Sequence, residues 1–149
     1  MTKAVKLTYT IISINLFIAA IIITSMFGLK SFCETFINLP LNIAFGLLGL
    51  YISGYYIGKK IEYQIKERNR NIFIIGVLGL LIIVLIGIIS GSTVGFLEEG
   101  ISQLNSYYKI NNAFFDYYFK PFFWILFFGI IPTILTGMTL GYLIKRSTN

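Results

Sequence analysis

Few side chains in this chain can do chemistry. The 149 residues include no histidine and a single cysteine, Cys33, and the carboxylates number six: Glu34, Glu62, Glu67, Glu98, Glu99 and Asp116. Without histidine, the commonest near-neutral acid–base group and a major metal ligand are both missing. Cys33 likewise has no imidazole in the chain to take its proton. Glu98 and Glu99 are adjacent, and on a helix their side chains would point about 100° apart. A metal there would need further oxygens from Asp116 or Glu34, and no spacing brings them together. Serine and threonine hydroxyls are plentiful, but a hydroxyl without a base is not an activated nucleophile. These residues predict a protein that is not an enzyme and holds neither cofactor nor metal.

The elements that would position any site are four apolar runs, at 8–29, 39–58, 72–90 and 122–144, with no Asp, Glu, Lys or Arg inside them. A helix rises about 1.5 Å per residue, so about 20 residues match a hydrocarbon core about 30 Å thick. Hydrophobic residues make up 56% of the chain and charged residues 12%, with a mean hydropathy of +0.81. Soluble domains carry about 25% charged residues, so a water-soluble globule is a poor fit. The predicted fold is all-α: one domain over 1–149, a polytopic membrane protein with a four-transmembrane-helix bundle and a short extracytoplasmic interfacial helix at about 97–119.

Charge sets the expected orientation. Of the twelve cations, Lys3 and Lys6 precede the first span, Lys59, Lys60, Lys66, Arg68 and Arg70 separate spans two and three, and Lys145 and Arg146 follow the fourth. Only Lys30, Lys109 and Lys120 fall on the other side, together with Glu34, Glu98, Glu99 and Asp116. Lys and Arg stay cytoplasmic during insertion, which predicts a multi-pass protein of the cell membrane with both termini inside. The net charge of +6 then serves anionic lipid headgroups at that surface rather than nucleic acid. The first run is longer than a secretory signal core and lacks a small-residue cleavage site, so it reads as an uncleaved span. Cys33 falls in the short outer loop and has no partner for an intrachain disulfide.

Glycines carry the clearest pattern. Gly46, Ser53, Gly54 and Gly58 in span two recur as Gly129, Thr136, Gly137 and Gly141 in span four, offset by 83 throughout. Such positions share an arc of roughly 140° on one helix face, and small residues let helices approach closely in lipid. The repeat is either a duplicated two-span hairpin or convergent packing; spans one and three do not align with each other. Gly87, Gly91 and Gly95 form a second smooth groove at i, i+4 and i+8, for a helix of this chain or of another copy. The Ser90–Thr93 cluster is a competing stop that would leave Gly95 in a loop. Pro40 and Pro121 suit helix starts, whereas Pro132 inside span four removes a hydrogen bond and predicts a kink near Phe128-Gly129. Asn15 is the most polar intramembrane candidate, able to line a pore or to hydrogen-bond between helices.

The loops add two features. Glu62 and Lys66, at favourable i, i+4 spacing, extend span two into the inner loop. Outside, Ile101, Leu104, Tyr108, Phe115 and Phe119 repeat at near-helical spacing beside a polar stripe of Asn105, Lys109, Asn112 and Asp116. This is an amphipathic pattern, with a break expected near Asn111-Asn112. Tyr117, Tyr118, Phe119, Phe122, Phe123 and Trp124 complete an aromatic belt.

Together these features predict a non-enzymatic accessory or scaffold subunit built by glycine-mediated helix packing, partnered by copies of itself or by another membrane subunit. One alternative is a small oligomeric channel or transporter using Asn15, the Gly87–Gly95 groove and Pro132. Another is a toxin-immunity or sensing protein acting through the outer aromatic segment.

Overall fold

Runs of Ile, Leu, Phe and Gly without internal charge can satisfy their backbone in lipid only as helices. The computed structural model describes residues 2–68, 70–104 and 109–148 and contains no strand among them. α1 spans Lys3–Asn38, α2 Pro40–Lys66, α3 Ile72–Gly95, α4 Ile110–Phe114 and α5 Lys120–Thr148. A π-helical turn at Phe96–Gly100 prolongs α3, and another at Phe115–Phe119 joins α4 to α5. The result is four helices long and apolar enough to cross a membrane: Lys3–Asn38, Pro40–Lys66, Ile72–Gly100 and Ile110–Ser147.

Each helix outruns the apolar stretch that announces it. The expected outer loop after the first run is instead helical to Asn38, redirected at Gly28, whose φ of 84° and ψ of 156° lie where only glycine is at ease. The exposed Cys33 therefore sits on this helical extension and not in a loop. α2 starts on Pro40 and runs to Lys66, whose ammonium meets Glu62 at 3.1 Å. Asn71 caps α3, its carboxamide oxygen accepting from the Phe73 and Ile74 amides at 3.0 and 3.4 Å. The Ser90–Thr93 cluster does not end α3: Ser90 and Thr93 donate back to the carbonyls of Ile86 and Ile89, within the helix. Nor does the chain break at Asn111-Asn112, which lie inside α4 and lead without interruption into α5. Asn105 and Tyr108 of the amphipathic pattern lie outside the described residues.

The helices alternate in direction around the bundle. α1 and α3 each lie between α2 and α5, and the two most extensive interfaces are α2–α3 and α3–α5. Ile11 and Ile12 of α1, Ile61 and Ile65 of α2, Leu80 and Ile83 of α3, and Leu140 and Ile144 of α5 fill the centre. This core lies toward the end that carries Lys3, Lys6, Lys59, Lys60, Lys145 and Arg146. Toward the opposite end the bundle loosens. Among the described side chains, α1 has none buried beyond Ile12 and α5 has none buried before Pro132.

Candidate functional site

The glycines sit at the helix crossings, and each crossing is closed within the chain. A methyl group placed on Gly58 would lie 2.7 Å from the Thr8 hydroxyl and 3.5 Å from Val5 Cα; one on Gly54 would meet Ile12 Cδ1 at 2.6 Å. Gly46 turns to the other neighbour, with its added methyl 3.5 Å from the Gly87 carbonyl oxygen and 3.8 Å from Gly91 Cα. The single glycine face of α2 is thus shared between α1 and α3. Along α3, Gly91 fits against the Asn42 carbonyl and Gly95 against the Asn42 carboxamide and the Tyr117 ring. On α5, a methyl on Gly137 would reach Val77 Cα at 2.7 Å, and one on Gly141 would collide with the Ile72 carbonyl. Gly129 is different: nothing lies within 4 Å of its added methyl, so it takes no part in a crossing.

The repeat in the sequence corresponds to a repeat of contacts. In the first hairpin, a methyl on Gly58 or Gly54 of α2 would lie nearest Thr8 or Ile12 of α1. In the second, one on Gly141 or Gly137 of α5 would lie nearest Ile72 or Val77 of α3. Thr8 to Ile72 is a step of 64 and Ile12 to Val77 one of 65, whereas the glycines step by 83. The contacts thus pair the second helix of each hairpin with its first but give no common alignment of spans one and three.

Asn15 and Pro132 come together at the α1–α5 contact. Asn15 donates from Nδ2 to Thr133 Oγ1 at 3.1 Å, and Thr133 is 2% exposed. Next to it, α5 continues as one helix through Pro132, and Thr136 donates to the Pro132 carbonyl at 2.7 Å. A second polar tie joins α1 to α2, between the Ser13 and Tyr51 hydroxyls at 2.8 Å.

The opposite end holds a cluster that the spacing of the acidic residues does not foreshadow. The two π-helical turns bring Glu99 and Tyr117 together, the phenol donating to the carboxylate at 2.9 Å. Tyr118 donates to Thr93 at 3.1 Å and stacks on Phe114, with ring centroids 4.8 Å apart. Tyr117 and Tyr118 accordingly turn inward onto α3 and do not join the aromatic belt. Phe119, Phe122, Phe123 and Trp124 remain exposed, with Trp124 stacked on Phe128. Adjacent Glu98 and Glu99 point in different directions around the helix, so the first is exposed and the second half-buried.

Sequence reasoning passed over Gly49, Gly76, Gly79 and Gly100. Gly76 accepts α5 so closely that a methyl there would strike the Gly137 carbonyl, and Gly79 takes the Ile61 side chain. The available signal was that Gly137 and Gly141 need an equally small surface on the helix paired with α5, and Gly76 is the first glycine of α3. Chemically, these residues offer close packing and a few polar ties. Among the described residues no three His, Cys, Asp or Glu side chains are grouped to hold a metal ion. Compared with known proteins, the chain matches no family model, no curated protein and no solved structure.

Proposed function

We propose that this chain is a multi-pass protein of the cell membrane, with both termini cytoplasmic, that serves as a non-enzymatic accessory or scaffold subunit. The observation that carries this reading is the filled centre of the bundle, where Leu80, Ile83, Leu140 and Ile144 are fully buried. Four helices packed around such a centre leave no path for a solute. The glycine crossings are consumed in building this compact unit. The partner surface is then the unpacked stretch of α1 beyond Ile12 and of α5 before Pro132, which suits the helices of another membrane subunit or of a second copy. The basic end faces anionic headgroups.

A second reading, a small oligomeric channel or transporter, draws on the Asn15–Thr133 bond beside Pro132. Flux separates the two. Purified protein in sealed vesicles should pass ions and small polar solutes no faster than empty vesicles. Flux that Asn15→Leu abolishes without altering assembly would replace the accessory reading with the channel.

A further inference from the structure

One face of the bundle has a shape and a charge that the packing does not explain. Between α2 and α3 runs an open apolar groove of about 480 Å³, lined chiefly by Phe45, Leu48, Ile52, Tyr56 and Ile86, with Gly49 and Ser90 at its base. Its α2 wall, from Phe45 to Tyr56, extends about 16 Å along the helix, close to half of a hydrocarbon core about 30 Å thick. Phe45, Leu48, Ile52 and Tyr56 are all exposed.

The same face continues into cations. Lys60 lies four residues beyond Tyr56 and three beyond Ile57, directly in line with the groove. Lys59 adjoins it, its ammonium 2.7 Å from the Tyr55 hydroxyl and 4.3 Å from the centre of the Tyr55 ring. Among the described residues neither lysine has a carboxylate at ion-pair distance, since Glu62 is taken by Lys66. The other hairpin provides an internal comparison. At the offset of 83, Gly49 corresponds to Pro132, and Lys59 and Lys60 correspond to Tyr142 and Leu143. The cations of that half, Lys145 and Arg146, come two to three residues later, in the last turn of α5.

We infer that the α2–α3 groove holds one acyl chain of an anionic phospholipid drawn from the leaflet on the lysine side, with Lys59 and Lys60 on its phosphate. The apolar walls take the chain, and lysine stems lie along apolar surface while their ammonium groups reach the headgroup. The inference rests on the membrane reading, which resistance of the protein to alkaline extraction from membranes tests separately.

The experiment is native mass spectrometry of protein reconstituted in bilayers of equal phosphatidylglycerol and phosphatidylcholine with matched chains. One phosphatidylglycerol should stay bound to each chain, at least tenfold over phosphatidylcholine. The double variant Lys59→Gln, Lys60→Gln should lose that preference. Ile86→Trp, which fills the groove from α3, should lose the bound lipid, while Leu135→Trp on exposed α5 surface should keep it. Equal retention of the two lipids by the unmodified protein, or undiminished retention by Ile86→Trp, overturns the inference. So does a dimer that Ile86→Trp dissociates, which would give the groove to a second copy.

Discussion

Asn15 on α1 and Thr133 on α5 are joined by a hydrogen bond of 3.1 Å, 118 residues apart in sequence. One turn earlier in α5, a methyl added to Gly129 would meet nothing within 4 Å. The bond therefore marks the level at which a tight bundle gives way to a loose one. Interhelical hydrogen bonds in membranes average about 0.6 kcal/mol and rarely exceed 2. Asn15→Leu should accordingly lower the thermal midpoint in detergent by only a few degrees and leave the assembled mass unchanged. Dissociation or aggregation of this variant would show that the tie is structural to a larger assembly.

Glycine positions should separate sharply by what faces them. Gly141→Ala and Gly76→Ala put a carbon against backbone carbonyls that cannot swing away, and overpacking of this kind costs about 1–3 kcal/mol. Gly129→Ala meets open space and should be neutral, or stabilising by up to about 1 kcal/mol through reduced backbone freedom. Thermal unfolding followed by helical circular dichroism tests the order; equal effects at Gly129 and Gly141 would contradict these crossings.

Tyr117→Phe removes the hydroxyl that donates to Glu99. A hydrogen bond to a charged group is worth about 1.5–3 kcal/mol, and the half-exposed site should give the lower figure. Hydrogen exchange at 96–100 should quicken in this variant while α2 and the first half of α3 are unaffected. Unchanged protection there would mean the π turns hold without the bond.

Topology makes its own prediction. Cys33 is exposed and should react with a membrane-impermeant maleimide on intact cells. A cysteine introduced by Lys66→Cys in a Cys33→Ser background should react only after permeabilisation. The reverse pattern would invert the orientation.

The four helices were legible because charge-free apolar runs near 20 residues have one stable form in lipid. Their ends were not. Residues 30–38 read as a loop because they fall between the apolar runs 8–29 and 39–58, yet a single positive-φ glycine, Gly28, redirects the helix and lets it run on. The glycine repeat in α2 and α5 was visible as spacing, but spacing does not say which neighbour a face meets. Gly46 turns to α3 and Gly54 to α1, and Gly129 meets no helix at all. The Glu99–Tyr117 pair was illegible because it depends on two π turns, each of which shifts the helical register by one residue.

The most direct test of the accessory reading is the native mass of gently extracted protein, with every co-purifying chain identified and quantified. The expected result is a fixed ratio between this chain and a second membrane subunit or further copies of itself, with no flux in vesicles. A bare monomer that co-purifies with no other chain, or a closed homo-oligomeric ring that conducts, would contradict it.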